Sequence, residues 1–267
     1  MILFVFEGKK REPMLFETMK RLFFREGQAI TCSFNNNIYQ LYQDLQEMDE
    51  GADIVAVLRE KNKDNEDSPF KDETRTSDFS EIYLFFDYDF QNKNLTLDEM
   101  NVQLKELLEI FNDETDNGKL YINYPMIESI RYTKALPDPD FINYTITLSE
   151  CQANDFKEIA AEFSSYGNLD YIVLPTRREP TERETYKRKQ NWIHLKEQNV
   201  SKANYICNGG HCIPADKSAI SQEIKFTAEL EKYIVPSDSV AILSAFPIFL
   251  YDYFKTVKQT LANYRLK

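Results

Sequence analysis

The sequence predicts an α/β protein, with a mainly parallel sheet flanked by helices over residues 1–135 and a mostly helical C-terminal region over 136–267. Three observations predict it. Ile2 to Phe6 and Ile82 to Phe86 are continuous apolar runs of strand length, as strands covered on both faces tend to be. Between them apolar residues recur at helical spacing, so strands are expected to cross over through helices. Beyond about residue 134 strand-like runs thin out, and Pro137 and Pro139 make a natural boundary.

Taken in order, Ile2 to Phe6 reads as the first strand. Pro13 is expected at the first helical position, where its missing N–H costs nothing, followed by Met14, Leu15, Met19, Leu22 and Phe23 at helical spacing and a stop at Gly27. Ala29 to Phe34 forms a second strand. Ile38, Leu41, Tyr42, Leu45 and Met48 mark an amphipathic helix ending near Gly51. Ile54 to Leu58 fits a strand or a helix equally. Lys61 to Asp78 is charged, apolar-poor and reads as a loop. Ile82 to Phe86 is the central strand. Thr96 and Glu99 have capping-box spacing before Leu97, Met100, Leu104, Leu107, Leu108 and Phe111. Leu120 to Ile122 adds a short strand, and Pro125 opens a helix that carries Glu128. In the second half, Ser149 and Gln152 have capping-box spacing before Phe156, Ile159, Ala160 and Phe163. Later helices cover Thr181 to Gln198, Lys217 to Ile234 and Val240 to Phe254, the last kinked by Pro247.

Composition bounds the function. With 42% apolar and 13% aromatic residues, 267 residues can bury a core. A net charge of −12 and a pI near 4.8 exclude a protein that coats nucleic acid non-specifically, since that affinity comes from Lys and Arg neutralising phosphates. The charge is uneven: acids crowd Asp64 to Asp116, while bases gather between Arg177 and Lys202. No run approaches the roughly 18 apolar residues of a membrane span, so no membrane partner is expected and the cytoplasm is the default location. The four cysteines, at 32, 151, 207 and 212, are too scattered for a disulfide framework and read as reduced thiols.

Acids follow the predicted strands: Glu7 after the first, Asp87 and Asp89 after the central one, and Glu128 after the next. In a parallel sheet the C-terminal strand ends share one edge, so these acids can converge. Crowded carboxylates raise one another's pKa unless a cation neutralises them, and Mg²⁺, a hard ion with oxygen ligands, suits such a site, with Mn²⁺ as a substitute. Singly, each acid has a plainer reading: an Asp-x-Asp pair also makes a solvated turn, Glu7-Gly8 a strand-to-helix turn, and Glu12 a residue that favours a helix N-terminus.

The run Ile2-Leu3-Phe4-Val5-Phe6-Glu7-Gly8, with Glu12 five positions after Glu7, resembles the opening of a Toprim domain. Leu84-Phe85-Phe86-Asp87-Tyr88-Asp89 resembles that domain's Asp-x-Asp motif. Asn123-Tyr124-Pro125-Met126-Ile127-Glu128 is similar to an Asn-x-Pro-x-x-Glu element of the RloB-like branch, bacterial Toprim proteins associated with restriction and anti-phage loci. The resemblance spans residues 1 to about 133, with the motifs in the expected order. It implies a Toprim-like sheet in which Glu7 is general acid or base, Asp87 and Asp89 hold Mg²⁺ with Glu7 and Glu12 as further ligands, and Glu128 completes the catalytic set.

It also implies a metal-dependent nuclease that hydrolyses DNA or RNA phosphodiesters in bacterial phage defence. Two alternatives share the same fold: a non-cleaving regulatory or scaffolding subunit of a defence complex, and a primase-like nucleotidyl transferase. No Gly-x-x-x-x-Gly-Lys motif occurs, so an ATPase or sensor would be a separate partner chain, unlike the fused overcoming-lysogenization-defect nucleases. A homo-oligomer is expected.

In the second half, Arg177, Arg178, Lys187, Arg188 and Lys189, followed by Trp192, form the expected nucleic-acid-binding face. Interspersed Glu179, Glu182 and Glu184 fit a solvated face laced with ion pairs as well. Cys207, His211 and Cys212 invite a zinc reading. They lack a fourth ligand nearby, and a polar turn between helices fits better.

Overall fold

The structure, a computed structural model, describes residues 1–24, 29–48, 53–64, 68–90 and 92–254. It divides into two compact units, Met1–Pro13 with Gly27–Ile127, and Met14–Glu26 with Glu128–Lys267. The boundary drawn from the sequence at 135/136 therefore lies a few residues inside the second unit, and the first predicted helix is divided between the two. The helix stops expected at Gly27 and Gly51 lie outside the described residues.

In the first unit the chain runs β1 (Ile2–Phe6), α1 (Arg11–Phe23, whose later residues belong to the second unit), β2 (Ala29–Ser33), α2 (Ile38–Gln46), α3 (Ile54–Lys61), β3 (Glu81–Asp87), α4 (Leu97–Ile110), β4 (Asn112–Asp113) and β5 (Gly118–Asn123). The five strands form one α/β sheet in the order β2-β1-β3-β5-β4, parallel except for the short edge strand β4. Leu3 to Phe6 and Ile82 to Phe86 are buried, consistent with strands covered on both faces.

Local chemistry sets the helix starts. Asn37 caps α2 by accepting from the Gln40 N–H. Asp53 accepts from Val55 and Ala56 N–H, which makes the Ile54 to Leu58 run a helix and not a strand. Thr96 and Glu99 form the expected capping box on α4. Helix α1 begins at Arg11, so Pro13 is third in the helix and not first, still within the first turn, where backbone N–H groups have no intrahelical partner. Gly118 opens β5 at φ +116°, where a Cβ would lie 2.8 Å from Leu84 Cδ1, so both conformation and space select glycine.

Instead of the helix expected after Pro125, the chain makes a cis Tyr124–Pro125 peptide and one short 3₁₀ segment, Ile127–Arg131. The second unit continues with β6 (Thr145–Thr147), α5 (Leu148–Ala153), α6 (Phe156–Phe163), α7 (Glu182–Asn208) and α8 (Gln222–Glu229). A π-helical stretch, Leu230–Ile234, leads into α9 (Val235–Ser237), β7 (Ser239–Ala241) and α10 (Ala245–Tyr253). The capping box near residue 150 is Thr147 with Glu150, not Ser149 with Gln152, and α6 is capped by Asp155. The antiparallel β6–β7 pair was not expected, being only three residues long on each side.

Helix α7 organises this unit. Trp192 is fully buried and donates its Nε1–H to Ile172 O at 2.9 Å, while Asn199 accepts from the Ser244 N–H at 2.8 Å where α10 packs on α7. Pro247 lies in the first turn of α10, where its missing N–H removes no intrahelical bond. Two buried ionic side chains fasten the β6–β7 pair to the helices: Glu229 accepts from the Ala241 N–H at 2.9 Å, and Lys202 donates to Tyr144 O. Burial pushes Glu229 up to about 8 and Lys202 down to about 7. Among the described residues no helix is long and apolar enough to cross a membrane.

Candidate functional site

The strand order places the site. From β1 the chain crosses to β2 on one side, then returns past β1 to β3 on the other. The β1–β3 boundary is therefore where the connection direction reverses, and open parallel sheets bind ligands in the crevice at the carboxyl ends of such a pair. Glu7 directly follows β1, and Asp87 is the last residue of β3.

Both acids are fixed by main-chain bonds. The N–H of Glu7 donates to Phe85 O at 3.0 Å, and its carbonyl accepts from the Asn35 N–H at 2.9 Å, so β3 and the residues that follow β2 hold it from either side. The Asp87 N–H in turn donates to Oε2 of Glu7 at 2.9 Å. Asp87 is buried and accepts from Asn123 Nδ2 at 2.9 Å and from the Ile127 N–H. Glu12, also buried, accepts from the Gly8 N–H at 3.1 Å. Asp89 is half-buried and left-handed, at φ +48°.

The first unit thus brings Glu7, Glu12, Asp87 and Asp89 within electrostatic reach of one another. Burial first, then the Asp87 charge, with Asp89 and Glu12 behind it, pushes Glu7 up to about 10. Burial and then Glu12 push Asp87 up to about 8, against the opposing pull of the Ile127 N–H and the Asn123 amide. Burial raises Asp89 as well, partly offset by a hydrogen bond to Asn92. Carboxylates in this state are primed either to share protons or to take up a cation. Among the described residues no three His, Cys, Asp or Glu side chains already surround one point as a metal shell. Glu7 is instead turned onto the Asp87 N–H, and Asp87 onto Asn123 and the Ile127 N–H.

Glu128 is buried in the Ile127–Arg131 segment and belongs to the second unit. The expected nucleic-acid-binding face is also in that unit and needs correction. Lys189 is buried, with its Nζ 5.5 Å from the centre of the Phe23 ring, because it shares the Trp192 side of α7. Arg178 is held by Glu184 in a two-point ion pair at 2.6 and 2.8 Å, and Arg188 Nε donates to Val173 O at 3.4 Å. Arg177 and Lys187 are exposed as expected. At the end of α7, burial pushes the Cys207 thiol up to about 11, Cys212 is exposed, and the His211 ring lies 4.7 Å from that of Tyr205.

Two residues at the acidic site carried no role in the sequence reading. Asn123 holds Asp87, and the signal for it was the Asn-x-Pro element itself. Tyr39, from α2, is buried with its hydroxyl on Tyr88 O. Burial raises its pKa well above the usual value, with Tyr88, Asp89 and Glu7 adding to it. No sequence pattern marks it, because its partner is a main-chain carbonyl 49 residues away. No protein-family model, curated protein or solved structure matches the chain.

Proposed function

We propose that the chain is a Mg²⁺-dependent nuclease of Toprim type, able to use Mn²⁺, that hydrolyses DNA or RNA phosphodiesters. The observation that supports it most is the Asp87 N–H···Glu7 bond at the sheet's switch point, with Asp89 and Glu12 close enough to raise the pKa of Glu7. The donors fit a hard, oxygen-seeking ion: all four are carboxylates, and the charged neighbours that weigh most on Glu7 are acids. Asp87 and Asp89 are the proposed ligands, with Glu12 behind them. When bound, Mg²⁺ would supply Lewis acidity toward a phosphate oxygen and toward water. Glu7, whose pKa is raised by burial and by the Asp87 charge, would carry the proton that the attacking water loses or the leaving oxygen gains. Asn123 and the Ile127 N–H hold Asp87 throughout.

The motif resemblance extends the proposal to a cytoplasmic, homo-oligomeric anti-phage enzyme, with a separate ATPase or sensor chain as partner. A non-cleaving subunit is the second reading, favoured by the burial of Lys189 and the pairing of Arg178, which remove cations expected to meet phosphate. The test is cleavage of plasmid DNA and long RNA in Mg²⁺, Mn²⁺ or EDTA by wild type and Asp87→Ala. The nuclease reading expects metal-dependent cleavage that Asp87→Ala lowers by roughly a hundredfold or more while its circular dichroism is retained. Undiminished cleavage by folded Asp87→Ala would refute the assignment. Metal binding without cleavage of either substrate would favour the non-cleaving subunit.

A further inference from the structure

We infer that Tyr39 is a positioning residue whose hydroxyl anchors the Tyr88–Asp89 turn and so holds the Asp89 backbone in place beside Asp87, within reach of the proposed metal. The inference rests on the metal-site reading above and adds to it a residue outside the acidic motifs.

The peptide between Tyr88 and Asp89 is held at both ends. Its carbonyl accepts from the Tyr39 hydroxyl at 2.5 Å, and its N–H donates to Pro125 O at 3.2 Å. One residue earlier, the Tyr88 N–H donates to Asn123 O at 3.0 Å. These bonds anchor the turn that carries Asp89 to α2 and to the segment after β5, and so fix where the Asp89 backbone, and with it the carboxylate, stands relative to Asp87. The observed φ of +48° is one that non-glycine residues adopt only when their surroundings demand it. Two hydrogen bonds on one peptide supply the demand, and Tyr39 makes the one to its carbonyl. Without the hydroxyl the turn loses its anchor to α2, and the backbone that carries the Asp89 carboxylate is free to shift relative to Asp87.

Tyr39 is not placed to attack substrate itself. It is 2% exposed, so a phosphodiester has no approach to its oxygen. Tyr42 provides the internal control: it lies on the same helix, and its hydroxyl donates to Glu106 at 2.7 Å, a bond with no part in the Asp87–Asp89 turn.

The experiment titrates the full chain with Mn²⁺, reading free aqueous Mn²⁺ by electron paramagnetic resonance. Tyr39→Phe should bind Mn²⁺ roughly 10–100-fold more weakly than wild type, the usual cost of removing an outer-shell partner. Tyr42→Phe should stay within about twofold. Replacing Tyr39 with 4-aminophenylalanine, which keeps a donor at the same place, should restore most of the affinity, and this variant carries the test if Tyr39→Phe does not fold. Affinity in Tyr39→Phe equal to wild type, an equal loss in Tyr42→Phe, or failure of the amino variant to bind better than Tyr39→Phe would each overturn the inference. A wild-type protein that binds no Mn²⁺ would overturn the metal reading itself, a result visible without any variant.

Discussion

The N–H of Asp87 lies 2.9 Å from Oε2 of Glu7, so the acid that follows β1 is held by the backbone of the acid that ends β3. The bond lowers the cost of ionising Glu7, yet burial and the neighbouring charges outweigh it and leave the carboxyl protonated far above its ordinary range. In the absence of metal, the pair opposes folding once it ionises, and that opposition has a measurable pH dependence.

Folded-state pKa values near 10 for Glu7 and 8 for Asp87 exceed the unfolded values of 4.5 and 3.8. The folded state therefore binds more protons between those limits. The stability this contributes is complete below about pH 4, shrinks as pH rises and is lost as pH passes the folded values, by at most about 1.4 kcal/mol per pH unit for each group. Asp87→Asn removes one titration while keeping the oxygen that accepts from Asn123. In EDTA, urea unfolding at pH 5, 6.5 and 8 should show wild type losing stability faster than Asp87→Asn. Parallel pH profiles for the two proteins would contradict the burial argument.

The two glycines that border this sheet make a graded comparison. At Gly118 a side chain would meet Leu84 in the core from a strained positive φ, so Gly118→Ala should cost about 3 kcal/mol or more. At Gly8 the added Cβ would lie 3.0 Å from Oε2 of Glu12, a carboxylate that is buried but can shift by a few tenths of an ångström, so Gly8→Ala should cost about 1 kcal/mol. Urea midpoints measure both. A Gly8 variant less stable than the Gly118 variant would mean that Glu12 is held rigidly.

The centre of the sheet was legible because β1 and β3 are buried and read as uninterrupted apolar runs ending in Glu7 and Asp87. The α4 boundary was legible from Thr96 and Glu99. Ile54 to Leu58 was ambiguous because five apolar residues satisfy both periods; the deciding contact is the Asp53 cap. The order β2-β1-β3 could not be read, since crossover direction depends on which helices share a face, and with it went the reason that Glu7 and Asp87 meet. Tyr39 was invisible for a different reason: a bond to a main-chain carbonyl leaves no trace in the partner's residue type. Lys189 was misplaced because its charge was weighed and its face was not, although Trp192 three residues on and Ile193 four residues on share that face.

That correction divides the basic segment into residues with separate consequences. Lys189 is buried with its ammonium over the Phe23 ring, so Lys189→Gln should destabilise the protein by about 1–2 kcal/mol through lost packing. Arg177 and Lys187 are exposed, so Arg177→Gln and Lys187→Gln should leave the urea midpoint unchanged. If the proposed nucleic-acid substrate meets this face, each of these two substitutions should reduce the slope of log K against log salt by roughly 0.9 for duplex DNA. Arg178→Gln should do less, because the Glu184 ion pair already occupies its guanidinium. Fluorescence-anisotropy binding to a labelled duplex between 50 and 200 mM salt, run in Ca²⁺ to prevent cleavage, measures the slopes, and the salt range spans the regime in which counterion release dominates. If the Arg177 and Lys187 variants keep the wild-type slope, α7 and the segment before it are a solvated, ion-paired face, and the substrate is held elsewhere.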